Sequence, residues 1–404
     1  MAVVELETRK SAGTPKVFAL FLKLLSSNWT WGQLDIELPN GARHQLSGRE
    51  AGHRAVLQIK NYRMAGRVLK SGDIGFAEAY MEREFDTPHL AVLLETLANN
   101  YDDIRRLFDG NRMVRIVNWF AHRLNRNSRE GARRNIHAHY DLGNSFYSKW
   151  LDRSMTYSSG RFGGTARVLE QAQTAKYTAL ARMMELRAGE SVLEIGCGWG
   201  GFAEFAAKTI GARVTGITIS QEQYDYARER MARLGLNERA EIQLKDYRDV
   251  TGQFDRVASI EMFEAVGQEY WPSYFGKVRE CLRPGGRAGL QIITMRNDLF
   301  GGYNKRTDFI QKYIFPGGVL PSEESLAPVI SQAELSTRSV ERFGISYADT
   351  LAAWARRFSA AWPDIQRMDA KFDDRFHQLW LFYLAYCEAG FRSKRTDVIQ
   401  MALT

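Results

Sequence analysis

Residues Ser191 to Phe202 read SVLEIGCGWGGF, a short apolar strand running directly into a glycine-rich turn. Val192, Leu193 and Ile195 supply a buried strand. Gly196, Gly198, Gly200 and Gly201 remove every Cβ that would hold a ligand away from the backbone. The glycines alternate and no phosphate-binding lysine follows, so the dinucleotide fingerprint is incomplete. Glu194, two residues before the first glycine, is unsuited to a pyrophosphate. Acid and glycines together suit a cationic nucleoside carrying an amino acid, and S-adenosylmethionine is the cofactor this turn predicts.

From Ser191 onward the pattern alternates strand and helix at intervals that fit a doubly wound parallel α/β sheet. Strands are expected at 191–195, 213–219, 240–244, 256–260 and 287–294. Helices are expected at 201–209, 221–234 and 274–282, the last stopped by Arg283-Pro-Gly-Gly. The aromatic-rich segments 347–362 and 372–391 read as helices covering the sheet or a substrate channel. Ligands of such sheets bind beyond the carboxyl ends of the strands. That rule selects 196–200, 218–223, 246–248, 261–264 and 291–294, and two close carboxylates, Glu261 and Glu264, fall among them.

The region from about Trp31 to Ala98 mixes strand and helix signals. Leu34 to Leu38 alternates like an edge strand, 55–59 is a second strand, and 74–81 and 90–98 are helical. The chain of 404 residues divides accordingly into a small α+β domain (1–104), a basic connector helix (105–134) and a large α/β domain (135–404). The connector carries nine arginines against Asp109 and Glu130, with Trp119 and Phe120 between them. Such a helix reads as a membrane-surface element for anionic lipid, or as an inter-domain helix with solvated arginines.

The formal charge of +8 invites an anionic partner. A nucleic-acid methyltransferase is disfavoured, because no Asn/Asp-Pro-Pro-Tyr-type motif or catalytic cysteine pair is present. Cys197, Cys281 and Cys387 are too widely spaced for a disulfide framework or a zinc cluster, so no metal is expected and a reducing cytoplasm fits. The opening MAVVELETRK is not a signal peptide, and the apolar run from Val17 to Leu25 is interrupted by Lys23 and too short to span a bilayer. A soluble protein is expected.

Seven segments in order carry a family resemblance: Tyr140-Asp-Leu-Gly-Asn, Trp150-Leu-Asp, Met155-Thr-Tyr-Ser-Ser, the glycine turn, Thr215-Gly-Ile-Thr-Ile-Ser, Phe263-Glu and Lys312-Tyr-Ile-Phe-Pro-Gly-Gly. The chain resembles the cyclopropane-fatty-acyl-phospholipid synthases and mycolic acid methyltransferases over roughly Asn135 to the C-terminus, and its N-terminal region resembles the extra domain of the phospholipid enzymes. The resemblance implies a Rossmann-like class I methyltransferase fold with a mostly parallel seven-stranded sheet. It implies unsaturated phospholipid acyl chains as substrate, a peripheral location on the inner face of the membrane, and a homodimer. It places Tyr157, Ser158, Gly196, Gly198, Thr218, Ile219, Gln223, Tyr247 and Ile260 against S-adenosylmethionine. Glu194 is read as orienting groups near the methionine ammonium, and Gln223 as serving the ribose.

Methylation of an alkene leaves a carbocation, which aromatic faces stabilise and a base must quench. Trp199, Tyr313, Phe315 and Phe263 are the candidate faces. The resemblance implies a bicarbonate base held by a cysteine, a glutamate, a histidine and a tyrosine. Glu264 and Tyr313 stand at the glutamate and tyrosine positions, whereas Ser159 replaces the cysteine and Gln291 the histidine. Glu261 adds a second carboxylate where some relatives have glycine. Either Ser159 and Gln291 still hold the ion and a cyclopropane forms, which is the leading expectation, or Glu261 serves as an internal base paired with Glu264 and gives methyl- or methylene-branched chains. Glu261 as a helix-start acid, or a silent lipid-binding protein, are the remaining alternatives.

Overall fold

A computed structural model describes residues 14–27, 29–108 and 142–404. Most of the basic connector, from 109 onward, and Tyr140-Asp141 lie outside the described residues. The chain forms two compact units. One contains residues 1–122, 305–314 and 362–395; the other contains 123–304, 315–361 and 396–404.

In the first unit, β1 (Trp31–Glu37), β2 (Arg43–Ser47), β3 (Glu50–Ile59) and β4 (Phe85–Asp86) form a sheet in the order β2-β1-β3-β4. β1 runs antiparallel to β2 and parallel to β3. The helix expected at 74–81 follows a kink at Gly72, whose backbone (φ 63°, ψ −130°) is not helical and divides the helical segment Arg63–Met81 in two. Glycine alone adopts that backbone without strain, so the break ahead of residue 74 is real, and what the sequence reading left out is the helical stretch from Arg63 up to it. Segment 372–391, expected to cover the sheet or channel, is the helix Asp374–Arg392. It packs on the helices Arg63–Met81 and Leu90–Asn99 of its own unit.

The second unit holds a seven-stranded sheet: β5 (Ser191–Ile195), β6 (Arg213–Thr218), β7 (Ala240–Leu244), β8 (Phe254–Ile260), β9 (Leu282–Met295), β10 (Thr337–Arg342) and β11 (Thr396–Leu403). The order is β10-β11-β9-β8-β5-β6-β7, parallel except that β11 is antiparallel to both neighbours. The chain leaves β5 to one side for β6 and later returns on the other side for β8, so a crevice opens between the carboxyl ends of β5 and β8. Alternate residues feed cores on opposite faces. Leu193, Ile195 and Val257 join one with Trp271, Phe275 and Val278; Val192 and Ala258 join the other with Leu180 and Phe202.

Three boundaries differ from expectation. The helix after the glycine turn is α-helical only over Gly201–Phe205 and then widens into a π turn, Ala206–Ile210. The helix Trp271–Cys281 does end before Arg283-Pro-Gly-Gly, but that tetrapeptide belongs to β9, where the pairing with β8 shifts register between Phe254 and Arg256. β10 and β11 complete the sheet from segments with no strand assignment in the sequence reading.

Candidate active site

The glycine turn leaves β5 in left-handed backbone, with φ 80° at Gly196 and 52° at Gly198. The N–H groups of Gly196 and Cys197 both donate to the Ile217 carbonyl, at 3.0 and 2.9 Å, which holds the turn against β6. A Cβ on Gly196 would lie 2.7 Å from Met262 Cγ, whereas one on Gly198 would meet nothing within 4 Å. Gly198 therefore faces open space. Arg230 clamps the turn, donating to the carbonyls of Trp199 (3.1 Å) and Ser154 (2.7 Å) while pairing with Glu204.

Glu194 lies on β5 and is buried, and burial raises its carboxyl well above the usual range despite Lys176 and Arg230. Its Oε2 has no hydrogen-bond partner. Two separate features of the turn suit a bound cationic nucleoside: a buried carboxyl oxygen at Glu194 left unmatched by the protein, and open space at Gly198 where backbone can meet a ligand. The turn thus fits S-adenosylmethionine.

The other expected cofactor residues surround the strand ends. Thr218 closes β6, and its hydroxyl donates to Gln223 Oε1 at 2.9 Å, fixing that amide; Ile219 follows, half-buried. Tyr247 follows β7, edge-on to Tyr274, and Ile260 ends β8. Ser158 Oγ accepts from Lys176 Nζ at 2.7 Å. Tyr157 is set in an aromatic wall, its ring 5.3 Å from Trp354, 5.4 Å from Tyr147 and 5.6 Å from Trp150.

The second cluster lies just past β8. Glu261 has φ 51°, a left-handed conformation rare for a residue with a Cβ. Its carboxylate accepts from the Ser159 backbone N–H (2.8 Å), Gln291 Nε2 (2.6 Å) and the Tyr347 hydroxyl (2.6 Å). Burial raises its pKa, opposed by Lys176 and by these three donors. Glu264 sits on the next turn with Oε1 accepting from the Ile293 N–H at 2.5 Å and Oε2 unpartnered. Burial and the neighbouring Glu261 push its carboxyl up to about 8. Two adjacent carboxyls with only one well supplied with donors hold one proton between them near neutrality, and Glu264 is the better place for it.

These contacts correct several expectations. Glu261 is not a helix cap, since all its carboxylate bonds reach other segments. Ser159 and Gln291 bond Glu261, and the Ser159 hydroxyl itself turns away to the Gly160 carbonyl at 2.8 Å. The donors expected to hold bicarbonate are thus engaged by a side chain, and the residues present do not fit the ion. Tyr313 donates to Glu78 at 2.7 Å within the first unit. The tyrosine of the second unit that reaches the carboxylates is Tyr347, on the helix Gly344–Gln366. Phe263 is core, packed among Trp271, Tyr274 and Phe275.

Sequence reasoning also missed Lys176 and Trp354. Lys176 is fully buried on the helix Leu169–Met183, and burial pushes its pKa down to about 7 although the charges of Glu261, Asp152 and Glu194 pull it up. Trp354 lies edge-on to Tyr347 at 6.2 Å and so extends the aromatic wall to the carboxylates. A tyrosine seven residues before a tryptophan, two turns along one helix face, was the available signal.

A seven-stranded sheet with its last strand reversed, and a glycine turn at the switch point, define a class I methyltransferase. Among solved structures, the mycolic acid cyclopropane synthase CmaA1 complexed with SAH and CTAB superposes with a TM-score of 0.63 at 27% identity, over 67% of this chain and 97% of that one. Residues 127–401 match the family model of mycolic acid cyclopropane synthetases, and the chain belongs to that family of S-adenosylmethionine-dependent enzymes. It is 39% identical over 360 residues to the tuberculostearic acid methyltransferase UfaA1 of Mycobacterium tuberculosis, covering 84% of this chain and 81% of that protein. It is 34% identical over 388 residues to the cyclopropane-fatty-acyl-phospholipid synthase of Escherichia coli K12, covering 93% of each.

Proposed function

We propose that the protein alkylates a carbon–carbon double bond in the acyl chain of a membrane phospholipid and gives an open-chain, methyl- or methylene-branched product, with Glu261 as the proton acceptor. The observation that carries this reading is the Glu261 carboxylate, which is supplied with three donors by the chain itself. S-adenosylmethionine, held by Glu194, Gly196, Gly198, Tyr157, Ser158, Thr218, Ile219, Gln223, Tyr247 and Ile260, supplies an electrophilic methyl that leaves a carbocation on the acyl chain. Tyr157, Trp150 and Trp354 offer ring faces to that cation, each worth about 1–2 kcal/mol in a dry site. Glu261 then takes a proton from the chain carbon beside the cation, and the released C–H electron pair closes a new double bond in a methyl-branched chain; a methylene branch forms when a hydride first shifts from the methyl-bearing carbon to the cationic one and the proton then leaves the new methyl. Glu264, protonated, adds no second negative charge beside the base. Gln291 and Tyr347 are assigned to holding Glu261, and Tyr313 is given no part in the reaction.

The relatedness to a tuberculostearic acid methyltransferase supports a branched product. The E. coli synthase, similar along nearly its whole length, supports the ring instead. Among the described residues no helix is long and apolar enough to cross a membrane. The helix Lys16–Ser26, with Val17 and Leu20 about half exposed and Lys16 and Lys23 on its surface, supports docking on an anionic bilayer.

The test is expression in a host lacking its own synthase, fed methionine with a deuterated methyl, followed by mass spectrometry of the fatty acids. A branched alkene takes up hydrogen on mild hydrogenation; a cyclopropane does not. A labelled product that resists hydrogenation and retains two deuterium atoms, as a ring does, would overturn the open-chain reading. A fully active Glu261→Gln enzyme would overturn the assignment of the base.

A further inference from the structure

We propose that Gln400, on β11, is a positioning residue for the base carboxylate, acting through Gln291. The proposal rests on the reading of Glu261 as base. Gln400 and Gln291 are directly paired across the antiparallel β11–β9 ladder, so their side chains leave the same face side by side. Both are essentially inaccessible to water.

A glutamine side chain has one accepting end and one donating end of nearly equal shape, and packing alone does not choose between them. The choice matters at Gln291. With Nε2 toward Glu261 Oε1 at 2.6 Å the contact is a charge-assisted hydrogen bond; with the amide reversed, two oxygens would meet at the same separation. The polarity is traceable to a group that cannot reverse. The backbone carbonyl of Lys176 can only accept, and Gln400 Nε2 donates to it at 3.1 Å. The same Nε2 donates to Gln291 Oε1 at 3.0 Å. With its oxygen claimed, Gln291 has only its NH₂ end to offer Glu261. The fixed carbonyl orients Gln400, Gln400 orients Gln291, and Gln291 donates to the carboxylate. Gln400 Oε1 has no partner, an unmet buried acceptor tolerated where the donating end is needed.

The charged and titratable groups facing Glu261 are Lys176, Glu264 and Tyr347; Gln291 and Ser159 contribute neutral donors. Loss of the Gln291 donor leaves the other groups in place and weakens the ionised form of Glu261 alone. The expected signature is therefore a higher apparent pKa on the acid limb of the rate profile. A purely structural role for Gln400 would lower stability and leave that limb where it is.

The experiment uses the full chain with S-adenosylmethionine and vesicles of dioleoyl phosphatidylglycerol, following methyl transfer from about pH 6 to 9. The variants are Gln400→Met, close to isosteric but without a donor, and Gln400→Leu as a second apolar replacement should the first not fold. A thermal melt and a cofactor titration accompany each. Expected are a kcat about tenfold lower, an acid limb displaced upward by about half a pH unit, and an unchanged KM for S-adenosylmethionine. In a Gln291→Met background, Gln400→Met should add nothing further, because the two residues act in series. A folded Gln400 variant whose acid limb does not move, or whose effect adds fully to that of Gln291→Met, would overturn the proposal. Glu261→Gln run alongside separates the two readings: if it is inactive while Gln400→Met keeps the wild-type limb, only the role of Gln400 fails; if it is fully active, the base assignment itself fails.

Discussion

The hydroxyl of Tyr347 donates to Oε2 of Glu261 at 2.6 Å across 86 residues of sequence, from a helix that begins after β10 to the turn that ends β8. Glu261 is raised by burial, and this phenol is one of the groups holding the rise in check. Removing the hydroxyl leaves the carboxylate with two donors. Tyr347→Phe is expected to lower kcat about tenfold and to shift the acid limb of the rate upward, with cofactor affinity unchanged. Tyr313→Phe, which removes a bond to Glu78, is expected to leave the limb in place. The comparison is made by methyl-transfer rates across pH, and an equal shift in both variants would refute the assignment.

Glu264 gives a stability signature. Its folded carboxyl titrates at about 8, whereas an unfolded glutamate ionises near about 4.3. Between those values the native state keeps a proton that the unfolded chain has lost. Its contribution is therefore complete below the unfolded value and falls as pH climbs toward 8. Glu264→Gln cannot titrate. Its stability relative to wild type should rise by more than about 1 kcal/mol from pH 5 to pH 8 in urea denaturation. Parallel pH curves for the two proteins would contradict the shift.

Lys176 has the opposite sign. Its folded pKa is lowered to about 7 from an unfolded value near about 10.4, so between the two the native state has released a proton that the unfolded chain retains. Wild-type stability from this group is present at high pH and lost as pH falls through that window. Lys176→Met should accordingly gain stability relative to wild type on going from pH 10 to pH 7, while methyl transfer falls because the amine that donates to Ser158 Oγ is gone. Denaturant midpoints at the two pH values, with initial rates, check both halves.

Gly198 separates ligand from fold. A Cβ there would touch no protein atom, so Gly198→Ala meets only the cost of left-handed backbone, about 1–2 kcal/mol. The protein should fold, with cofactor affinity by calorimetry reduced more than tenfold because the methyl enters the open space. Gly196→Ala, whose Cβ would press on Met262, should lose more stability for a comparable loss of binding. Unchanged affinity in Gly198→Ala would mean the cofactor does not approach that position.

The strand Ser191–Ile195, its glycines and four other parallel strands were legible because each is written in consecutive residues: apolar runs, punctuation, and helices of regular period. The switch-point rule then selected Glu261, Glu264 and Gln291 from the same local information. What escaped depends on pairing between distant segments. Gln400 reaches Gln291 through the register of β11, a strand inserted antiparallel between two others, and no local pattern announces that register. Lys176 reads as an ordinary helical lysine until the sheet closes over it. Tyr313 stood in a recognisable motif and Tyr347 did not, yet Tyr347 is the one whose helix is laid across the carboxyl end of β8.

The left-handed backbone at Glu261 has a consequence for how this site can change over generations. Glutamate and glycine codons differ at their middle base, and the conformation held here is one glycine adopts without strain. One nucleotide substitution would relax the main chain, delete the built-in carboxylate and leave the Ser159, Gln291 and Tyr347 donors surrounding a vacancy of carboxylate size. The reverse substitution would furnish a site dependent on a dissolved anion with a permanent one. On the reading of Glu261 as base, whether such an enzyme would draw its base from solution or carry it in its own chain is, at this position, a difference of a single letter.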